Sequence, residues 1–306
     1  MTTSRPPVLL TRRIPSSLLE KLAAECEVDL QEAPLAPEQL RVRVRDKQGM
    51  ICVLTDRIDA AVLDAGAALK VVANIAVGYD NIDAAAAKAR GVVVTNTPDV
   101  LTEATAELTW GLILTAARRI GEGERLVRRG GWKGWTLDFM LGTELRGKQL
   151  GIIGRGRIGR AVAARAPAFG MTVRFAKQDL SIDELLISSD VISINTSLRP
   201  ETRHLIDRRA LMRMKRSAIL VNTARGPIVD EEALAWAMQE RLIAAAALDV
   251  YEREPIVHEG LLGMENVVLA PHLGSATRET RTAMIDLAIR NVIEVVHGRP
   301  PLTPVS

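Results

Sequence analysis

Residues Leu150–Gly159 read LGIIGRGRIG, and this stretch decides how the rest of the chain is expected to fold. An apolar run typical of a strand leads into a G-x-G-x-x-G motif, and the Ala-rich stretch Ala161–Ala168 that follows is typical of a helix. In such a unit Gly154 permits the turn, Gly156 lets a pyrophosphate approach the backbone, and Gly159 lets the helix pack closely on the strand. The stretch therefore predicts a strand, a tight turn and a helix.

The start of this predicted helix is suited to an anion. The N–H groups of Arg157 and Ile158 lie in the first helical turn, where backbone donors lack carbonyl partners within the helix. A dinucleotide pyrophosphate is the ligand expected there. Glycine-rich turns also occur where no ligand binds, so the motif alone is weak evidence.

Composition favours a large α/β protein. The chain has 306 residues, which is longer than most single cores, so two domains are expected. Hydrophobic residues make up 47% and aromatic residues only 3%, which suits parallel sheets built from Ala, Val, Ile and Leu and covered by helices on both faces. The 40 basic residues are interleaved with 37 acidic ones, which argues against a nucleic-acid partner.

Cysteine usage and hydropathy exclude further classes. Cys26 and Cys52 have no metal-like spacing, so we expect small buried side chains, no disulfide scaffold and no metal site. Met1–Pro7 lacks an apolar signal core, and no segment reaches the roughly 18 apolar residues that span a bilayer. A soluble, cytoplasmic protein with no membrane partner is expected.

The order of apolar and helical segments predicts two domains. Short apolar runs alternate with helical stretches over the first hundred residues, and a long helix, Thr102–Ile120, is expected to lead into a second unit of the same plan. A final helix, about Glu279–Val296, is long enough to return to the first domain. The prediction is two Rossmann-like, doubly wound parallel-sheet domains, with a dinucleotide-binding domain (99–277) inserted into a substrate domain (1–98 plus 278–306).

Residues 121–147 depart from this alternation. The segment is rich in Gly, Arg and Trp and has no clear period, which indicates an arm rather than a core. Trp132 and Trp135 are candidate interface anchors, so a homodimer is expected, although local packing is the alternative.

Three segments that follow apolar strands carry chemical side chains: residues 221–226, 248–255 and 269–277. In an open parallel sheet, ligands bind outside the carboxyl ends of the strands, so Arg225, Glu254 and His272 are expected to meet in one crevice. Alone, each has an ordinary structural explanation, such as a surface ion pair, a solvated turn or a satisfied core histidine.

Together the three residues suit one reaction. An arginine can hold a carboxylate through a bidentate fork, a histidine can donate or accept a proton near neutral pH, and a glutamate can orient the histidine ring and stabilise its charged form. With a nicotinamide cofactor, this set suits the reversible reduction of a 2-oxo acid, in which hydride goes to the carbonyl carbon while His272 protonates the oxygen.

These motifs resemble the D-isomer-specific 2-hydroxyacid dehydrogenase family over almost the whole chain, from Val8 to about Val296, and within it the glyoxylate and hydroxypyruvate reductases. The resemblance implies that Arg225 binds the substrate, that His272 is the general acid-base and that Glu254 is its partner. It implies further binding positions for the substrate at Val77, Gly78 and Ser275, and for the cofactor at Thr105, Thr223, Ala224, Asp249 and Gly274.

Two departures from the family pattern concern the cofactor. Arg155 stands where the family usually has an apolar residue, and only residues 178–182 follow the second strand where the family has a longer crossover, so the wall beside the adenosine is expected to be trimmed. Lys177 occupies the usual place of the acid that holds the ribose 2′-hydroxyl, with Arg174 nearby and Asp179 as the one possible substitute. The sequence therefore predicts NADP or NAD as cofactor and favours NADP.

Two other functions share this fold. A nucleotide-sensing protein similar to the transcriptional corepressors keeps the same Arg, Glu and His, so residues alone do not exclude it. An enzyme similar to formate dehydrogenase is disfavoured, because formate oxidation does not need the proton relay that Glu254 and His272 predict.

Overall fold

A computed structural model describes residues 5–305, so residues 1–4 of the N-terminal stretch considered for a signal lie outside the described part. The described chain divides into two compact units. One contains the residues up to Leu101 and those from Thr277 onward, and the other is Thr102–Ala276. The second unit is therefore inserted into the first.

The first unit is built on five parallel strands in the order β2-β1-β3-β4-β5. Apolar runs alternate with helices as the sequence predicts, because strands covered on both faces carry no polar side. The strands are β1 Pro7–Leu10, β2 Glu27–Leu30, β3 Gly49–Cys52, β4 Val71–Asn74 and β5 Val93–Thr95, and the helices are α1 Ser16–Glu25, α2 Pro37–Arg43, α3 Ala60–Ala65, α4 Ala84–Ala89 and α12 Arg278–Val296.

Local sequence signals set the ends of these helices. The Asp59 carboxylate accepts the Val62 N–H and the Asp83 carboxylate accepts the Ala86 N–H, so each caps its helix. Cys26 and Cys52 are buried and free, which confirms that they act as small core side chains.

The second unit holds a six-stranded parallel sheet in the order β11-β10-β9-β8-β6-β7. Its chain numbering reverses direction between β6 and β8, the kind of switch point beside which ligands bind in open α/β sheets. Its strands are β6 Gln149–Ile153, β7 Thr172–Phe175, β8 Val191–Ile194, β9 Ile219–Asn222, β10 Ala245–Leu248 and β11 Val267–Leu269, and its helices are α5 Thr102–Ala117, α6 Ile120–Arg128, α7 Arg157–Arg165, α8 Ile182–Ser188, α9 Arg208–Arg213, α10 Glu231–Gln239 and α11 Glu259–Leu262. The predicted fold class is confirmed.

Strand β7 forms one edge of this sheet, and the chain returns from it directly through α8 to β8. The short connection after Phe175 is a closed turn, in which the Lys177 N–H donates to the Leu180 carbonyl at 2.7 Å. Ser181 and Glu184 then form a capping box that starts α8. The connection thus carries no strand beyond β7.

The prediction of one continuous helix over Thr102–Ile120 is wrong, and the start of the segment 121–147 is helical although its sequence shows no clear period. Helix α5 ends at Ala117, Arg119 takes a left-handed φ of 55°, and a separate helix, α6, begins at Ile120. The Thr143 N–H donates to the Ala117 carbonyl at 2.7 Å, so a later loop supplies a hydrogen-bond donor to the last carbonyl of α5. Two glycines within α6, Gly121 and Gly123, lower its intrinsic propensity and hid it in the sequence.

Helix α5 covers one face of the second sheet together with α7. The indole N–H of Trp110 donates to the Val162 carbonyl at 3.0 Å, and its ring stacks on Phe169 at 4.4 Å between centroids. Across the described residues, no helix combines the length and apolar character needed to cross a membrane.

Candidate active site

The glycine-rich turn between β6 and α7 has the geometry that the motif requires. Gly154 has a φ of 109°, and a Cβ there would lie 2.5 Å from the Asn195 carbonyl oxygen. A Cβ on Gly159 would overlap the carbonyl oxygen of Gly154. By contrast, a Cβ on Gly156 would meet no heavy atom within 4 Å. Two glycines are therefore needed for folding, while the third leaves open space above the turn.

This open space lies at the start of α7. Gly156 is the N-cap and supplies no side-chain cap, and Arg157 and Ile158 follow as the first two helical residues. Helix N-termini attract anions through their backbone donors and dipole. The turn therefore fits the pyrophosphate of a dinucleotide.

Arg225 lies in a loop that Asn222 braces. Asn222 is the last residue of β9, and its side-chain oxygen accepts the Ala224 N–H at 3.0 Å while its side-chain nitrogen donates to the Arg225 carbonyl at 2.9 Å. The amide thus fixes the loop from both sides. Asn222 was not predicted as a site residue, although it belongs to the same motif.

Gly226 brings this loop against the loop that follows β10. A Cβ on Gly226 would overlap the carbonyl carbon and oxygen of Tyr251 and lie close to the Glu252 nitrogen. Only glycine permits so close an approach of two backbones. Gly226 therefore couples the position of Arg225 to that of Glu254.

Glu254 and His272 form a direct pair. Glu254 Oε2 lies 2.8 Å from His272 Nδ1, and Glu254 Oε1 accepts the Tyr251 N–H at 3.1 Å. Among the described residues, no group bonds His272 Nε2, so this ring nitrogen is the one available to a substrate. The pair joins the segments after β10 and β11, as the strand order predicts.

The electrostatics agree with this geometry. Burial raises the pKa of Glu254, but the hydrogen bond and charge of His272, the Tyr251 N–H and the charge of Arg225 together lower the pKa below its ordinary value. Glu254 is therefore ionised around neutral pH. The effect of Arg225 on it indicates that all three predicted side chains share one electrostatic environment.

Asp249 holds the backbone that carries His272. It is buried, its carbonyl accepts the His272 N–H at 2.9 Å, and its carboxylate accepts the N–H groups of Leu273 at 2.6 Å and Gly274 at 2.8 Å. His272 has a left-handed φ of 54°, a conformation that non-glycine residues rarely adopt. Burial raises the pKa of Asp249 above its ordinary value, although the two hydrogen bonds from backbone N–H groups act to lower that pKa.

Tyr251 supports the same turn from the other side. Its hydroxyl donates to the Ala270 carbonyl at 2.9 Å, and burial raises its pKa to about 12, so it remains a neutral donor. Tyr251 and the bracing function of Asp249 depend on contacts between separate loops, and sequence reasoning missed both.

The remaining predicted cofactor positions lie around these loops. Thr109 Oγ1 donates to the Thr105 carbonyl at 2.8 Å and lies 2.9 Å from Thr223 Oγ1, which links α5 to the loop that contains Ala224. A Cβ on Gly274 would lie 3.5 Å from Thr105 Cγ2. Thr105, Thr223 and Gly274 therefore occupy one region of the second unit.

The predicted substrate positions lie in separate units. Ser275 follows Gly274 in the second unit, whereas Val77 and Gly78 follow β4 in the first. The Asn96 side chain donates to the Val77 carbonyl at 2.8 Å, and the Asn74 side chain donates to the Gly78 carbonyl at 2.9 Å. Within the described residues their own N–H groups have no acceptor, so these two donors can serve a ligand.

Lys177 lies in the turn after β7. Its side chain is exposed and its backbone has a left-handed φ of 66°. The acid predicted as a possible substitute, Asp179, accepts the Phe175 N–H at 2.7 Å. One of its oxygens therefore stabilises the turn itself.

Comparison with known proteins shows the family to which the chain belongs. Residues 110–274 match the family model described as "D-isomer specific 2-hydroxyacid dehydrogenase, NAD binding domain". The chain belongs to the D-isomer-specific 2-hydroxyacid dehydrogenase family and is an NAD(P)-dependent enzyme of that family.

Within the family, the resemblance to glyoxylate reductases is confirmed. A glyoxylate reductase from Aeropyrum pernix is 47% identical, covering 97% of this chain and 95% of that protein. The TT0316 protein from Thermus thermophilus is 44% identical with a TM-score of 0.92, covering 98% of this chain and 100% of that one. An NADPH-dependent glyoxylate/hydroxypyruvate reductase from Sinorhizobium meliloti, solved with NADP and malonate, is 35% identical with a TM-score of 0.88. The match covers 99% of this chain and 97% of that one. None of these relatives supports the corepressor alternative.

Proposed function

We propose that the protein reduces a small 2-oxo acid, glyoxylate or hydroxypyruvate, with NADPH or NADH. The product is the corresponding 2-hydroxy acid, which has the D configuration where C2 is chiral. The observation that carries this proposal is the pairing of His272 Nδ1 with Glu254 Oε2 at 2.8 Å, in the electrostatic environment of Arg225. This is the set of groups that carbonyl reduction of a carboxylate substrate needs. The glyoxylate reductases among its relatives support the choice of substrate.

Each residue has a separate task in this reaction. When bound in the second unit, a nicotinamide cofactor would supply the hydride for the carbonyl carbon. His272 donates a proton from Nε2 to the carbonyl oxygen, and Glu254 keeps Nδ1 bonded, which fixes the ring orientation and stabilises the protonated ring. Arg225 holds the substrate carboxylate and orients the carbonyl towards His272.

The N–H groups of Val77 and Gly78 are proposed to bind the same carboxylate. The Asn96 side chain holds the Val77 carbonyl, which belongs to the same peptide group as the Gly78 N–H. The Thr97 N–H holds the Ala76 carbonyl, which belongs to the same peptide group as the Val77 N–H, so both donors have a fixed orientation. Ser275 is proposed to assist at the substrate.

The cofactor is proposed to bind the second unit. Gly154, Gly156 and Gly159 shape the turn for the pyrophosphate, and the first residues of α7 donate to it. Lys177 replaces the acid that would hold a ribose 2′-hydroxyl, which favours NADP. The other proposed contacts are Thr105, Arg157, Ile158, Thr223, Ala224, Asp249 and Gly274.

The purified protein should oxidise NADPH or NADH in the presence of glyoxylate or hydroxypyruvate, followed by nicotinamide absorbance. Pyruvate serves as a comparison substrate, and each acid is tested with each cofactor. No turnover with any 2-oxo acid would rule out the proposed reaction.

Replacing Glu254 by glutamine should shift the pH profile of reduction. Because the pKa of Glu254 is lowered, the wild-type residue is charged when His272 must hold its proton, and the two charges stabilise each other. Glutamine keeps the shape but removes that charge, so the protonated pair that donates to the substrate becomes less stable. The alkaline limb of kcat/KM should therefore move to lower pH, measured over a series of buffers at constant ionic strength. An unmoved limb would contradict the role of Glu254.

We infer a homodimer from the apolar surface of residues 120–141. Trp135 is 75% exposed and Leu137 is 84% exposed in the isolated chain, unusual values for large apolar side chains. Further exposed apolar side chains in this segment are Ile120, Val127, Trp132, Phe139 and Leu141. A second copy of the chain is the proposed cover.

The double variant Trp135→Ser, Leu137→Ser should be monomeric at concentrations where the wild type is dimeric, measured by light scattering. Met212→Ser, which replaces an exposed apolar side chain on α9, is the matched control and should remain dimeric. A monomeric wild type at micromolar concentration would contradict the inference.

A further inference from the structure

Arg155, inside the glycine-rich turn, has no part in the chemistry proposed above. Its guanidinium carbon lies 5.4 Å from the centroid of the Phe175 ring, a cation–π distance. Among the described residues, no carboxylate forms an ion pair with it. The exposed guanidinium is thus seated on an aromatic ring while its N–H groups can bind a ligand.

The position of this guanidinium matters because Phe175 is the last residue of β7, the second strand of the cofactor unit. In dinucleotide-binding sheets, the group at the end of that strand reads the 2′ position of the adenosine ribose. Arg155 therefore lies where a 2′-substituent of the nucleotide is expected.

The acid that would select a free 2′-hydroxyl is absent from this position. Asp179 is the only acidic residue in the connection 176–181, and its Oδ2 accepts the Phe175 N–H. Its own N–H donates back to the Phe175 carbonyl at 3.0 Å, so the turn is closed on itself. One oxygen of the Asp179 carboxylate is therefore used by the fold.

We propose that Arg155 binds the 2′-phosphate of NADP and is the residue that selects NADP over NAD. This proposal rests on the proposed function, in which the chain binds a nicotinamide dinucleotide. A guanidinium can bond two phosphate oxygens at once, and the Phe175 ring limits its motion.

The surroundings of Arg155 have space and positive charge for a 2′-phosphate. Arg155, Arg160 and Phe175 line an open cavity of about 420 Å³ together with Ala163, Ala164 and Val173. Arg160 Nε donates to the Arg155 carbonyl at 3.2 Å, which brings a second cation to the same turn. The trimmed connection after β7 leaves this side of the turn uncovered by a further strand.

The test compares 2′,5′-ADP with 5′-AMP, which differ only in the 2′-phosphate. Isothermal titration calorimetry on the full chain gives the ratio of their two Kd values, and no substrate turnover is needed. Wild-type protein should prefer 2′,5′-ADP, and Arg155→Gln should reduce that preference by about tenfold or more, the worth of a charged hydrogen bond. Phe175→Leu should reduce it by about two- to fivefold. Arg216→Gln, a remote exposed arginine, is the charge-matched control and should leave it unchanged.

The outcomes separate this proposal from the proposed function. An unchanged ratio in Arg155→Gln, or an equal weakening of both nucleotides, would overturn the assignment of Arg155 while leaving the dehydrogenase intact. Loss of the preference in Lys177→Gln but not in Arg155→Gln would overturn it in favour of the lysine. A wild type that prefers 5′-AMP to 2′,5′-ADP would also overturn the assignment of Arg155. Failure of 2-oxo acid reduction concerns only the proposed function.

Discussion

Replacing His272 by alanine should lower kcat for reduction of glyoxylate or hydroxypyruvate by about 10²- to 10⁴-fold, the usual worth of a positioned acid-base. His272 Nε2 is the proton donor of the proposed reaction, and Glu254 on the opposite ring nitrogen cannot replace it. Because the side chain is only partly buried, the loss should come from chemistry and not from unfolding. Steady-state kinetics together with the thermal unfolding midpoint distinguish these causes.

His297→Ala is the matched control for this experiment. His297 follows α12 in the first unit, where its Nε2 lies 3.5 Å from Glu25 Oε2 on the surface. Its removal should change kcat by less than about twofold, since surface ion pairs contribute little. Retention of wild-type turnover by His272→Ala would remove the proposed mechanism.

Replacing Gly226 by alanine should lower kcat/KM by about 10²-fold or more. The added methyl group would overlap the Tyr251 carbonyl, so the loop with Arg225 and the loop with Glu254 must separate. A displacement of about 1 Å in a catalytic constellation can cost 10²-fold. The same kinetic assay measures the loss.

Gly263→Ala provides the control for this substitution. Gly263 ends α11 with a φ of −89°, and a Cβ there would meet no heavy atom within 4 Å, so activity should be unchanged. If Gly226→Ala does not fold, binding of 2′,5′-ADP will be lost as well; if it folds, nucleotide binding should survive while turnover falls. Full activity in a folded Gly226→Ala would show that the two loops are not coupled.

Much of the fold could be predicted because parallel strands buried on both faces leave a simple signal. Runs such as Val71–Asn74 are apolar over most of their length, and each is followed by a helical stretch, so the alternation itself predicts the sheets. Helix α6 could not be predicted in this way. Its glycines lower the local propensity, and a bond from the distant Thr143 to Ala117 helps to define where the preceding helix ends.

The candidate site was predictable to a similar degree. Arg225, Glu254 and His272 each follow an apolar strand, and the carboxyl ends of parallel strands share one edge, which predicts that they meet. The supports of the site carry no such signal. Asp249 accepts hydrogen bonds from the N–H groups of Leu273 and Gly274, more than twenty residues away, directly after the left-handed backbone of His272.

The strand order of the second sheet has a consequence for how such an enzyme can change. The side chains proposed to act on the substrate follow β9, β10 and β11. The turn with Arg155 and the end of β7 lie in the opposite half of the sheet, beyond β8. Substitutions at separated positions that share no partners usually act independently. Substitutions can therefore change the preferred nucleotide, or shorten the connection after β7, while the pair of His272 and Glu254 stays in place. In this fold, the residues that set the choice of nucleotide and the residues proposed to act on the substrate can therefore evolve separately.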